Sequence, residues 1–183
     1  MPGPERSTPR TRMPLELSRR ELLVAGAYAL GAASFWPRRA WAAGEAAWLE
    51  AARKSPLVYV SPLLANGSES RCHGEVWFFV DGGDIVLATA TKTWKARALE
   101  AGRKTARIWV GDFGPYAKAP EKLATAPTFV ASASLEKDRA VFARLLAAYA
   151  VKYADEWGKW KPRFESSYAD GTRVVVRYAP VPG

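Results

Sequence analysis

Val76-Trp77-Phe78-Phe79-Val80, Asp81-Gly82-Gly83-Asp84 and Ile85-Val86-Leu87-Ala88-Thr89, read in that order, decide the fold. Two runs of β-branched and aromatic residues flank a short Asp/Gly segment, which is the chemistry of a tight hairpin. Downstream, Thr93 stands where a helix cap belongs, and Trp94 to Ala101 reads as a short helix that Gly102 stops. Thr105 to Val110 alternates apolar and polar residues and predicts another strand. Upstream, Leu57-Val58-Tyr59-Val60 is a strand bounded by Pro56 and Pro62, with a turn at Asn66-Gly67-Ser68 and a short helix over Glu45 to Lys54.

The C-terminal part is predicted as a surface loop over residues 111–126 and a fifth short strand at Thr128-Phe129-Val130. The longest helix follows, opened by Ser134, running from Leu135 to Glu156 and broken between Gly158 and Pro162. Its apolar face carries Val141, Phe142, Leu145, Leu146, Tyr149 and Tyr153. An Asp170-Gly171 turn then leads into a terminal strand over Thr172 to Tyr178. Mostly antiparallel strands with helices outside them make an α+β chain whose sheet is a small barrel or a curved sheet.

Composition narrows the function. Of the +9 formal charge of the 183 residues, residues 1–42 supply +4 through seven Arg against three acidic residues, which leaves +5 downstream. That surplus is scattered rather than striped, which argues against nucleic acid as a partner and is enough for an anionic small molecule. Cys72 is the single cysteine, so no intrachain disulfide and no cysteine-based zinc site exists. Eight Trp and seven Tyr supply core packing or the walls of a planar-ligand pocket.

The best candidate site is Thr89-Ala90-Thr91-Lys92-Thr93-Trp94-Lys95-Ala96-Arg97. It leaves a strand and enters a helix, so it gathers hydroxyls, backbone N–H groups and a cation, the donors a phosphate needs. A solvated loop with ordinary helix capping is the plain alternative. His73 is the only histidine; it reads as a strand histidine satisfied by a polar neighbour, or as a substrate donor or haem ligand. Cys72 reads as a small buried residue, and Arg71 as a cation able to reach an anion at the barrel mouth.

From about Leu57 to Val110 the chain resembles the pyridoxamine 5′-phosphate oxidase-like family of flavin-binding split β-barrels. The resemblance rests on the aromatic strand, the tight hairpin, the strand ending in Thr89, the Thr93-Trp94-Lys95 turn, the Lys95-Ala96-Arg97-Ala98-Leu99 helix and the Ala106 to Val110 strand. It implies a six-stranded antiparallel split β-barrel of the FMN-binding type over residues 43–183, usually a homodimer. It also implies that Thr89, Thr93 and Lys95 hold the FMN phosphate and that Trp77 and Phe78 line the ring, partly through their backbone. Trp94 takes the place of a common Arg, for which Arg97 is the candidate replacement. A deazaflavin coenzyme or haem is the alternative cofactor. The Arg-x-His signature of the true vitamin B6 oxidase is missing from the C-terminal end, so that activity is not expected. What remains is a flavin oxidoreductase acting on a small-molecule substrate or electron donor, a non-catalytic ligand-binding module, or a barrel whose aromatics only pack.

Residues 1–42 carry a second resemblance. Ser18-Arg19-Arg20-Glu21-Leu22-Leu23, an apolar run to Trp36, and Ala40-Trp41-Ala42 resemble a twin-arginine signal with a cleavage site before Ala43. The expected partner is the twin-arginine export machinery, which carries folded and cofactor-loaded proteins, and the expected location is the periplasm. An uncleaved anchor is the alternative.

Overall fold

The structure is a computed structural model and describes residues 43–182. The expected signal peptide at residues 1–42 lies outside them. The elements are α1 (Ala43–Lys54), β1 (Val58–Pro62), β2 (Gly74–Val76), β3 (Phe79–Asp81), β4 (Asp84–Ala90), α2 (Trp94–Glu100), β5 (Thr105–Val110), α3 (Pro120–Leu123), β6 (Thr128–Glu136), α4 (Arg139–Lys152), α5 (Ala154–Ala169) and β7 (Arg173–Pro180).

All seven strands belong to one antiparallel sheet in the order β2-β1-β5-β6-β7-β4-β3. Its two edge strands are consecutive in the chain, joined only by Trp77 and Phe78. Such a sheet must curl until its edges meet, which closes a barrel and leaves a seam where they part. The single strand expected over residues 76–80 is therefore two strands, and this is why seven segments replace the expected six. The hairpin itself forms as read: Phe79, Val80 and Asp81 face Val86, Ile85 and Asp84. Gly82 and Gly83 sit at φ 64° and 97°, as a two-residue turn matched to strand twist requires.

A corner inside a barrel wall leaves backbone groups without strand partners, and two phenols supply them. The Tyr149 hydroxyl donates to the Trp77 carbonyl at 2.7 Å. The Tyr153 hydroxyl accepts the Phe78 N–H at 2.9 Å and lies 2.8 Å from the Pro56 carbonyl and 3.0 Å from that of Phe78. Burial holds the Tyr153 hydroxyl well above the usual phenol range, so it stays protonated.

Side chains alternate about the sheet. Val58, Val60, Phe78, Ile85, Leu87, Ile108, Val110, Val176 and Tyr178 fill the barrel with Trp48 of α1. On the outside, Val86 and Val175 pack against Val141, Phe142, Leu145 and Tyr149 of α4 and Trp157 and Phe164 of α5. Both faces of β4 are covered, which explains its unbroken apolar run. Residues 111–126 are more than a surface loop. Ala119 and Leu123 cover Tyr59 and Trp109, and the Tyr59 hydroxyl takes the Phe113 N–H at 2.9 Å and donates to the Gly114 carbonyl.

The expected long helix is corrected at both ends. Leu135 belongs to β6, opposite Val176, and the strand started at Thr128 continues to Glu136. Asp138, not Ser134, caps α4 by accepting the Ala140 N–H at 2.8 Å. The break falls at Tyr153 (φ −123°, ψ 37°), and α5 then runs through Gly158 and Pro162. Trp157 and Phe164, seven residues apart on the buried stripe, anchor α5 on either side of the proline. Pro62 likewise lies within β1, opposite Ala106, rather than outside it.

One ion cluster ties these layers. Arg177 of β7 meets Asp81 at 2.7 Å, Glu136 at 2.8 Å and Asp84 at 2.9 Å, and Arg144 of α4 grips Asp81 through two bonds of 2.9 and 2.8 Å. Arg144 and Arg177 hold the Asp81 carboxyl below its ordinary value of 3.8. The Asp138 N–H and Arg177 hold Glu136 below its ordinary 4.5.

Two outcomes follow for stability. Tyr153→Phe leaves the buried Phe78 N–H without an acceptor and should cost about 1–3 kcal/mol in chemical denaturation, more than Tyr149→Phe, which removes only a donor. Carboxylates depressed in the folded state stabilise it above their unfolded values, so the contribution of Asp81 and Glu136 is present at neutral pH and drains as pH falls below 4.5 and 3.8. Thermal melts of Arg177→Met against the parent should show a gap at pH 7 that narrows across this acid range.

Candidate functional site

Thr89 is the buried penultimate residue of β4, and α2 begins five residues later at Trp94. The Thr93 hydroxyl donates to the Ala90 carbonyl at 2.8 Å and lies 2.9 Å from the Thr89 hydroxyl. The protons therefore run from Thr89 to Thr93 to Ala90. Thr93 holds the cap position of α2, but its side chain caps no N–H; its hydroxyl bonds Ala90 and Thr89 instead.

Lys95, in the first turn of α2, is the anomalous member. Its side chain is buried, at 9% exposure, and crosses toward β2. The amine lies against Gly74, where a Cβ would stand in ordinary contact at 3.8 Å from it and 3.4 Å from the Trp94 ring. The amine lies 4.2 Å from the Trp94 ring centroid, and no acceptor among the described residues hydrogen-bonds it. Burial lowers its pKa, while the charges of Glu75 and Cys72 pull the other way. Glu75 attracts the amine without bonding it, and its carboxylate accepts the Tyr116 N–H at 3.1 Å.

The remaining expected site residues lie elsewhere. Trp77 stacks on Tyr153 at 4.2 Å and lines a cleft of about 370 Å³ between α5 and the seam, with Val76, Ala88, Trp160, Phe164 and Arg173. Phe78 is fully buried inside the barrel, with the Lys152 amine 3.4 Å over its ring. Tyr153 takes its backbone groups, so neither its side chain nor its backbone lines that cleft. Arg97 is exposed and borders a smaller hollow of about 230 Å³ with Cys72, Trp94 and Arg103. The structure thus joins Thr89 to Thr93 directly, puts Lys95 in the same turn, and separates Trp77 and Arg97 into two different hollows.

His73 has the polar neighbour anticipated for it. Its Nε2 lies 3.2 Å from the Glu69 carboxylate, and its ring stacks on Tyr116 at 4.4 Å. Cys72 is half-buried rather than buried as expected, with its N–H donating to the Ser70 hydroxyl at 3.2 Å, and Arg71 is exposed. Trp160, Phe164 and Arg173 were missed by sequence reasoning. Trp157, Trp160 and Phe164 follow a helical i, i+3, i+7 pattern that would have revealed them, had Gly158 and Pro162 not been read as a break.

No family model matches the chain, and no curated protein sequence matches it significantly. Solved structures do. A conserved hypothetical protein of Mycobacterium tuberculosis, Rv2991, is similar with a TM-score of 0.52 at 19% identity, over 78% of this chain and 82% of that one. HutZ, a haem storage protein of Vibrio cholerae, gives 0.47 at 19% identity over 74% and 88%. A Listeria innocua protein provisionally assigned as a pyridoxamine 5′-phosphate oxidase gives 0.46 at 12% identity over 75% and 94%. The mixed α+β chain and its curled antiparallel sheet of seven strands are consistent with a split barrel, and the likeness to Rv2991 is one of fold. These likenesses speak to the fold and leave the chemistry to this chain's own residues.

The position of Lys95 sets a titration. Its amine should titrate below the ordinary 10.5, and Glu75→Gln, which removes the attracting charge, should lower it further. Reductive ¹³C-methylation with NMR detection reads this directly. A Lys95 resonance titrating at or above 10.5 would contradict the burial account.

Proposed function

We propose that this chain is an exported split-barrel protein that holds a planar, phosphate-bearing cofactor, FMN in the first instance, and serves as an oxidoreductase toward a small-molecule substrate or electron donor. The observation that carries the reading is Lys95, a buried ammonium at the start of α2 with no hydrogen-bond acceptor among the described residues. A buried cation lacking a bonded counter-charge is costly, and an anion delivered beside it removes that cost. The lysine fits a phosphate. The threonines fit it on one condition, because Thr89 and Thr93 now spend their protons on each other and on Ala90. Rotation of the Thr93 hydroxyl away from Ala90 frees one donor for the ligand.

A flavin would supply hydride or electron transfer, and the protein's part is to hold and shield it. Lys95 neutralises the phosphate. Trp77, stacked on Tyr153 at 4.2 Å and near-parallel to Phe164 at 6.5 Å, is the residue offered to the planar ring. A deazaflavin coenzyme satisfies the same lysine, whereas haem brings carboxylates in place of phosphate. The Arg19-Arg20 signal supports export after folding, and a homodimer is the assembly that the family resemblance implies. A second reading, a module that retains such a ligand without turnover, is favoured by His73, which spends its Nε2 on Glu69 instead of standing free as an acid or base.

The test is FMN affinity of cofactor-free protein followed by flavin fluorescence quenching. Lys95→Ala should weaken binding at least tenfold, the loss of about one charge-assisted hydrogen bond, and Lys95→Arg should recover part of it. Equal binding by the parent and Lys95→Ala would remove the phosphate assignment.

A further inference from the structure

We propose that the cleft between α5 and the seam binds an aromatic carboxylate, with Arg173 as its anion-binding residue. The proposal is independent of Lys95. It shares only Trp77 with the cofactor reading and rests on that reading only for the further step of making this ligand a substrate.

Two arginines on β7 show the contrast. Arg177 is saturated by Asp81, Asp84 and Glu136. Arg173, four residues earlier, has no carboxylate partner among the described residues. Its Nε donates to the Ser167 hydroxyl at 2.8 Å and its guanidinium lies 4.0 Å over the Phe164 ring. Those contacts fix the plane of the guanidinium and leave both Nη groups without a hydrogen bond among the described residues. Arg173 also lines the cleft of about 370 Å³. A fixed guanidinium fork with its two outer nitrogens uncommitted is the complement of a planar carboxylate.

The rest of the cleft selects the body of the ligand. Trp160 stands edge-on to Trp77 at 6.2 Å and 77°, and Phe164 lies near-parallel to Trp77 at 6.5 Å, over an apolar floor of Val76 and Ala88. Aromatic walls around an apolar floor favour a flat ring system. Glu156 sets the charge. Its carboxylate accepts the Trp160 Nε1–H at 3.2 Å and lines the same cleft, so it opposes a second negative charge. Lys159 and Arg163 stand over the Trp160 ring, at 5.8 and 5.5 Å, and favour the approach of an anion. A monoanionic aromatic acid meets these demands better than a phosphate dianion.

Isothermal titration of the full 183-residue chain, free of cofactor, with indole-3-acetate and with indole-3-acetamide tests the assignment. The two probes share a ring and differ in charge. The acid should bind at least tenfold more tightly than the amide. Arg173→Gln should abolish that preference by weakening the acid alone, and Arg173→Lys, which keeps the charge and loses the fork, should restore part of it. Thermal melts establish that the variants fold, and if Arg173→Gln does not, the acid–amide comparison on the parent still decides. Equal affinity for acid and amide, or no heat from either at the highest soluble concentration, would overturn the proposal. Neither result touches FMN retention at Lys95, so failure here is separable from failure of the cofactor reading.

Discussion

Tyr149 on α4 and Tyr153 at the break between α4 and α5 hold the point where the barrel wall divides. At Trp77 and Phe78 the chain leaves one edge of the sheet and joins the other, which takes three backbone groups out of strand pairing in a buried setting. Each would cost the desolvation of an unmade hydrogen bond if left alone. The Tyr149 hydroxyl donates to the Trp77 carbonyl, the Tyr153 oxygen accepts the Phe78 N–H, and the single Tyr153 proton is shared between the Pro56 and Phe78 carbonyls. The seam, the two halves of the divided strand and the position of Trp77 all depend on this contact.

The helices that carry those phenols are fixed by charge as well as by packing. Arg177 and Arg144 converge on Asp81 at the tip of the hairpin, and Glu136 and Asp84 complete the cluster. The turn that reverses the chain is thereby locked to β6, β7 and α4. Opposite it, the β4 end and α2 carry the Thr89–Thr93 pair and Lys95. The scaffold is thus tied tightly at one end of the hairpin, while at the other Lys95 is attracted by Glu75 without a hydrogen bond to it. Arg177 is saturated by carboxylates, whereas neither Lys95 nor Arg173 hydrogen-bonds one among the described residues.

Much of this was legible in the chain. The Asp81-Gly82-Gly83-Asp84 turn and the strand formers around it gave the hairpin, and Thr89, Thr93 and Lys95 gave the beginning of α2. The strand division at Trp77-Phe78 was not legible, because its cause is tertiary: residues 76–80 have uniform strand propensity, and the hydroxyls that break them apart lie more than 70 positions away. The boundary at Leu135 was lost for a like reason, since pairing with Val176 and the Arg177–Glu136 bridge override a helical pattern. Pro162 misled in the other direction. Trp157 and Phe164 hold α5 to the sheet across it, and the cleft wall of Trp160 and Phe164 disappeared from the reading with the helix.

Whether the barrel carries a flavin-type cofactor is tested most directly by the absorption spectrum of the protein purified without added cofactor. Flavin bands, retained through purification or restored on adding FMN, are the expected result. A bare protein spectrum that stays bare after FMN is added, or a Soret band in place of the flavin bands, would contradict it.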